Sequence, residues 1–249
     1  MPAADATRLA LAAIEAGYRH LDTAAFYANE AEVGRAVREA PVPREELFVT
    51  SKVWKDDHGY DETLQAFDAS MERFGLERIE LYLIHWPVPS IDRYVDTWRA
   101  LVRLREEGRV RSIGVANFHA HHVDRLVAET GEAPVVNQVE LHPWLPQTEL
   151  RAYDGAHGIL TEAWSPLARG RVLGDPVLAR IAAKHGRTPA QIVLRWHVQL
   201  GNVVIPKASS PERIRENLDV FGFELDADDL AAIAELESGE RTGRDPDDD

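Results

Sequence analysis

Leu47-Phe48-Val49-Thr50-Ser51-Lys52 is a short, β-branched, apolar run that ends in a charged side chain. A run of this kind reads as a strand buried on both faces of a parallel sheet. The same pattern repeats outward from it. RHLDTA (19–24) closes on Asp22, with Tyr27 just beyond, and LYLIHWP (81–87) closes on His85. In a parallel α/β fold the strand C-termini all reach one rim, and chemistry is done there. The carboxylate of Asp22, the phenol of Tyr27, the ammonium of Lys52 and the imidazole of His85 are therefore expected to converge on one patch.

Further along, strand-like runs alternate with helical patterns to the end of the chain. VRSIGVAN (110–117), VVNQVELHP (135–143), ILTEAWSP (159–166) and NVVIPK (202–207) bring the strand count to seven. Asp5 reads as the cap of a first helix ending at Gly17, and Asn29 with Glu32 has capping-box spacing for a helix through Glu39. Gly75, Gly108, Gly131, Gly158, Gly186 and Gly201 stand where helices should stop. Thr188-Pro189 and Ser210-Pro211 give the complementary start, an N-cap followed by proline. Such alternation predicts a (β/α)8 TIM-type barrel or a doubly wound sheet. The barrel is preferred because no G-x-G-x-x-G follows the first strand. No linker divides the chain, so residues 1–249 read as one barrel domain, with 241–249 as a short acidic tail. A closed barrel of this class needs eight strands. The chain opens directly on a helix, and its first strand is missing from the count.

The bulk composition narrows the function classes. The 249 residues contain no cysteine, which excludes disulfides and thiolate metal sites. A formal charge of −14 argues against a nucleic-acid or anionic-membrane surface. No secretion signal and no apolar run of membrane-spanning length is found, so a cytoplasmic location is expected.

Alternation places Thr50 and Lys52 on one face of their strand, and Leu83 and His85 on one face of theirs. A lysine facing a barrel mouth must lose its proton or find a carboxylate, and Asp22 on the neighbouring strand is the candidate. A phenol beside that ammonium is expected to have its pKa lowered from about 10, making Tyr27 a proton donor and acceptor. Taken singly, each of the four also fits a capping, packing or strand-ending role. Their joint placement at successive strand ends favours chemistry.

GYRHLDTAAFYANEAEVG (17–34), TSKVW (50–54), LYLIHWP (81–87), GVANF (114–118), NQVELHP (137–143) and IPKASSPERIRENL (205–218) together resemble the aldo-keto reductases. The likeness runs from Asp5 to about Asp245 and is greatest to the bacterial branch typified by 2,5-diketo-D-gluconate reductase. It implies NADPH-dependent reduction of aldehydes or ketones to alcohols, with hydride from the nicotinamide and no metal. By this resemblance Tyr27 is the general acid, Lys52 paired with Asp22 tunes it, and His85 orients the carbonyl. Asn117 and Gln138, at the ends of the fifth and sixth strands of the family barrel, would hold the carboxamide. Trp164 would stack on the nicotinamide, with Ser165 and Leu167 beside the cofactor. Lys207, Ser209 and Arg213 would bind the 2′-phosphate at a helix start suited to anions, with Glu216 and Asn217 near the adenine. Ala116 stands where the family usually has serine, and the missing hydroxyl costs about 1 kcal/mol of cofactor binding. Phe26, Trp54, His85, Trp86 and Phe118 would line the substrate pocket, which the short tail leaves open and permissive.

The same resemblance makes the family's N-terminal hairpin and first barrel strand conspicuous. Without that strand, neighbouring strand edges are expected to be exposed. A start recorded too far downstream is preferred to a true truncation, because the reactive residues are all retained. A complete barrel is expected to be monomeric. Two other functions compete: a non-catalytic or weakly active NADP(H)-binding protein, and a Schiff-base lyase using Lys52, which needs a lysine of lowered pKa.

Overall fold

The computed structural model describes residues 3–248. These residues divide into two compact units: the residues up to Asn137 together with those from Pro246, and Gln138–Asp245. All seven expected strands are present, hydrogen-bonded in chain order from β1 to β7.

In the first unit the helix α1 (Ala3–Ala16) leads to the short strand β1 (His20–Asp22). Next come α2 (Glu30–Glu39), β2 (Phe48–Val53), α3 (Tyr60–Phe74), β3 (Ile79–Ile84), α4 (Tyr94–Glu106), β4 (Val110–Ala116) and α5 (Ala120–Thr130). The pairings β1–β2, β2–β3 and β3–β4 are all parallel. Every residue of β3 is buried, including Glu80, whose carboxylate accepts from Val49 N at 2.9 Å and pairs with Arg44 at 3.0 Å. The register sets Val53 opposite Ile84, so β2 and β3 end level with each other, while β1 ends earlier, with Asp22 opposite Thr50. At Gly34 an added Cβ would lie 2.0 Å from the carbonyl oxygen of Phe74, so glycine is what lets α2 meet the end of α3.

In the second unit β5 (Val136–Glu140), which begins at the junction, is followed by α6 (Thr148–Ala156), β6 (Leu160–Trp164), α7 (Pro176–His185), α8 (Pro189–Gln199), β7 (Val203–Val204), α9 (Pro211–Leu218) and α10 (Ala227–Ala234). β6 and β7 pair in parallel. Val139, Leu141, Ala163, Ile181, Ile192, Val193, Trp196 and Ile233 form the core of this unit.

Several local expectations hold. Gly75, Gly131 and Gly186 cap helices in the left-handed region, with φ of 59°, 75° and 61°. Thr188 forms a full capping box with Gln191, and Ser210 accepts from the backbone of Arg213. Others need correction. Asp5 does not cap α1; it lies in the first turn, where Arg8 pairs with it at 2.8 Å. Asn29 occupies the N-cap of α2 but makes no side-chain cap bond, because its Oδ1 accepts the Thr23 hydroxyl at 2.5 Å. Helix α10 had no counterpart in the sequence reading, although Asp226 and Asp229 form a capping box at its start.

Candidate active site

The four reactive side chains are all carried by the first unit. Asp22 is the last residue of β1, Lys52 the fifth of six in β2, and His85 follows the last residue of β3. The chain leaves β1 through a single 3-10 turn, Ala25–Tyr27, ended by Ala28 in the left-handed region at φ 50°. That turn carries Tyr27 back toward the strand ends.

Lys52 is fully buried, yet its ammonium is well partnered. Nζ donates to Asp22 Oδ1 at 2.6 Å and to the Thr23 carbonyl at 3.0 Å. A buried charge is tolerated only with such partners. The same Nζ lies 5.4 Å from the centroid of the Tyr27 ring. His85 meets Tyr27 edge-on, with ring centroids 5.6 Å apart. Burial holds the His85 imidazole well below its ordinary pKa, and the positive charge of Lys52 adds to the effect, so the ring is neutral. Its Nδ1 has no hydrogen-bond partner.

For Tyr27 the expected direction is reversed. Burial raises the phenol's pKa, and this outweighs the lowering by Lys52; Asp22 adds to the rise. Desolvation of the phenolate, set by the packing around it, is the larger effect. A raised pKa keeps Tyr27 protonated at neutral pH, which suits a proton donor.

Aromatic rings flank this cluster. Phe26 stacks on Trp54 at 4.0 Å, and Trp54 meets His85 edge-on at 5.1 Å. Phe26 is 57% exposed, leaving a broad apolar face to solvent. Trp86, directly after His85, is partly exposed. Phe118 departs from the expectation. It is fully buried, packed edge-on against Tyr94 and His122, and belongs to the core rather than to an exposed wall.

Asn117 follows β4 in the left-handed region (φ 62°), and its Nδ2 donates to the His85 carbonyl at 2.9 Å. It thereby ties the end of β4 to the end of β3. In the second unit Gln138 stands in the middle of β5 rather than at its end, with Nε2 donating to Glu162 at 3.1 Å. Trp164 ends β6 and is partly exposed. Ser165 follows it with φ 51°, and its carbonyl accepts from Ala168 at 2.8 Å. Leu167 packs against the core of the unit.

Lys207, Ser209 and Arg213 are exposed around the start of α9. Neither Lys207 nor Arg213 makes an ion pair among the described residues, in a chain of net charge −14. Two uncommitted cations beside a helix N-terminus are a donor set that fits a phosphate. Glu216 is engaged locally, accepting the Thr188 hydroxyl at 2.6 Å, and Asn217 is buried.

Elsewhere in the first unit, His121 and His122 with Asp247 have the spacing of metal ligands. The backbone argues for a different use. His119 and His122 accept each other's backbone N–H in a capping box, the second bond at 3.1 Å to Nδ1 of His122. Nδ1 of His122 is thereby taken up, and its Nε2 lies 3.2 Å from a carboxylate oxygen of Asp247.

Comparison with known proteins agrees with this geometry. The profile of the "Aldo/keto reductase family" matches residues 1–238. An aldo-keto reductase of Mycolicibacterium smegmatis is 57% identical over 98% of this chain and 89% of its own length. Methylglyoxal reductase DkgA of Escherichia coli K12 is 52% identical over 94% of this chain and 86% of its own. Among solved structures, a Gox0644 mutant in complex with NADPH superposes with a TM-score of 0.95 at 47% identity, covering the whole of this chain and 91% of the other. The fold is thus the (β/α) barrel type, of which the described residues supply seven strands. Among those residues no helix is long and apolar enough to cross a membrane. The chain belongs to the aldo/keto reductase family, enzymes that interconvert carbonyl compounds and alcohols.

Proposed function

We propose that this chain reduces small aldehydes and ketones to alcohols with NADPH, using Tyr27 as the proton donor. One observation carries the assignment of roles: Lys52 is fully buried, bonded to Asp22 at 2.6 Å and set 5.4 Å from the Tyr27 ring. A buried ammonium beside a phenol stabilises the phenolate that forms when the proton leaves.

When bound, NADPH supplies a hydride to the carbonyl carbon. The chain's own residues manage the oxygen. His85, neutral and carrying one N–H, donates a hydrogen bond to the carbonyl oxygen and polarises it. Tyr27 transfers its phenolic proton to that oxygen as negative charge develops there. The resulting phenolate is held by the Lys52 charge and regains a proton from solvent, which reaches the 41% exposed side chain. The sum is carbonyl, NADPH and one proton going to alcohol and NADP+. Phe26, Trp54 and Trp86 form the apolar wall for the substrate body. Lys207 and Arg213 take the 2′-phosphate, with Ser209 between them. Trp164 stacks on the nicotinamide, and Asn117, Gln138, Ser165 and Leu167 hold it. Asn217 and Glu216 face the adenine.

The substrate class is small carbonyl compounds, including dicarbonyls such as the one for which the Escherichia coli relative is named. The enzyme acts in the cytoplasm as a single barrel domain. A lyase role for Lys52 is disfavoured, because the Asp22 carboxylate and the Thr23 carbonyl accept from an ammonium, whereas a Schiff-base nucleophile must be a free amine.

The test is NADPH absorbance followed with methylglyoxal and with an aromatic aldehyde. Turnover dependent on both cofactor and aldehyde is expected. NADPH binding without turnover would make the chain a binding protein instead.

A further inference from the structure

Glu140, at the end of β5, has no part in the reaction described above, yet its carboxylate is heavily bonded. It is 1% exposed. Its carboxylate accepts from Thr242 N at 2.6 Å, from the Thr242 hydroxyl by a short bond, and from Gly243 N at 2.9 Å. His142 Nε2 lies 3.0 Å from the same group. No lysine or arginine pairs with it among the bonds of the described residues. The charge is held mainly by main-chain and hydroxyl donors from a segment about a hundred residues away in sequence. Burying a carboxylate in this way is unfavourable without those donors. Burial works to raise its pKa, but the bonds from His142, Thr242 and Gly243 prevail and bring it down to about 2.

The anchored segment reaches a residue of functional interest. A Cβ on Gly243 would lie 2.6 Å from Cη2 of Trp164 and 3.0 Å from Oε2 of Glu140. The main chain at this point therefore sits against the edge of the indole, in a space that admits no side chain. Upstream, Ser238 and Gly239 donate to the Trp144 carbonyl at 3.1 and 2.9 Å, and Arg241 pairs with Asp245 at 3.1 Å. The segment is thus anchored upstream of its contact with Trp164 and closed on itself across that contact.

We propose that Glu140 is a positioning residue for cofactor binding: it clamps the segment 241–245 so that Gly243 braces the edge of Trp164 and sets the tilt of the ring presented to the nicotinamide. This rests on the reading of Trp164 as the stacking residue. The contact is with the ring's edge. Glycine is required at 243 by space rather than by backbone conformation. A carboxylate is required at 140 because both of its oxygens accept, whereas an amide would place a donor against one of the tail N–H groups.

The experiment compares wild type with Gly243→Ala and Glu140→Gln, measuring NADPH affinity by quenching of tryptophan fluorescence and by steady-state kinetics. Gly243→Ala keeps the Glu140 carboxylate and sets a Cβ against the indole edge and against Glu140 Oε2, displacing the brace. It should weaken NADPH binding at least about fivefold while kcat at saturating NADPH changes by less than about threefold. A Cβ in this space also lowers the thermal midpoint, so the split between NADPH affinity and kcat is the readout that a merely structural role for Gly243 would not give. Glu140→Gln should weaken NADPH binding similarly and also speed trypsin cleavage after Arg241 and Arg244, because the segment is released. NADPH affinity within about twofold of wild type in Gly243→Ala overturns the proposal, even if Glu140→Gln fails to fold. A wild-type chain that oxidises NADPH with aldehyde separates that failure from a failure of the reductase reading itself.

Discussion

The cluster in the first unit and the cations in the second are prepared for their tasks in opposite ways. Lys52, Asp22 and His85 are buried or nearly so, bonded at short distances and fixed in charge state by their surroundings. Lys207 and Arg213 are exposed and uncommitted among the described residues. The difference fits the roles proposed for the two groups. A proton donor works through an electrostatic field that must be in place before the reaction, and such a field is strongest away from water. A phosphate site must admit and release a hydrated anion, so its cations remain in solvent until the ligand arrives. Substitutions in the first group should therefore alter catalysis, and those in the second affinity alone.

The largest separation is expected for Tyr27→Phe. Removing the proton donor should lower kcat by about 10²- to 10⁴-fold. NADPH binding should stay within about twofold, since the lost hydroxyl acts on the substrate oxygen. A mutant retaining near-native turnover would remove Tyr27 from the mechanism and leave the first unit's cluster a structural one.

Acid sharpens the comparison through groups that never touch the substrate. In the first unit burial brings the His58 imidazole down to about 4, with Arg93 contributing. In the second, burial brings His197 down to about 3. Their ordinary value is 6.5, so from pH 6.5 downward the unfolded chain takes up protons that the folded chain refuses. Stability is therefore full above pH 6.5 and falls as pH drops toward 4 and 3, by on the order of 3 kcal/mol or more per group. Glu140 adds a later loss, since its folded value of about 2 lies below the ordinary 4.5. Its contribution is complete above pH 4.5 and disappears as pH falls through 2. Urea midpoints measured from pH 7 to pH 4 should decline steadily, and His58→Gln should flatten the decline. A midpoint independent of pH over that range would show that neither buried imidazole resists protonation.

Arg213→Ala tests the other side of the comparison. Losing one charge-assisted phosphate contact costs about 1.5–3 kcal/mol, or roughly 10- to 100-fold in the KM for NADPH. The effect should shrink when NADH replaces NADPH, because only the former carries the 2′-phosphate. The thermal midpoint should not move, since the side chain is exposed and unpaired. Equal losses with both cofactors would place Arg213 away from the phosphate.

What the sequence made legible follows from the range of each interaction. Strands β2 and β3 announce themselves because their apolar character is local, and the glycines at 75, 131 and 186 because left-handed backbone is a local demand. Asn29 was misread because Thr23 competes for its oxygen, and capping spacing says nothing of a competitor. Tyr27 was read in the wrong direction because its neighbouring charges follow from strand order, whereas its burial depends on the packing around it. Gln138 was placed at a strand end by resemblance, yet β5 continues two residues past it. The bonds from Glu140 to Thr242 and Gly243 were invisible altogether. Nothing in NQVELHP or in the tail signals a partner about a hundred residues away.

The smallest effect concerns Ala116, the last residue of β4, which is 1% exposed and immediately precedes Asn117. Resemblance puts a serine here, with a hydroxyl directed to the nicotinamide carboxamide. Ala116→Ser should lower the KM for NADPH by roughly fivefold, the equivalent of about 1 kcal/mol for one hydrogen bond. The gain requires the hydroxyl to find the carboxamide, because a buried hydroxyl left unpaired is destabilising. The two outcomes are therefore of opposite sign. Tighter NADPH binding with unchanged stability would show that the first unit's rim is already shaped for the carboxamide beside Asn117. A lower thermal midpoint with unchanged affinity would show that Ala116 packs against protein, and that Asn117 serves the end of β3 rather than the cofactor.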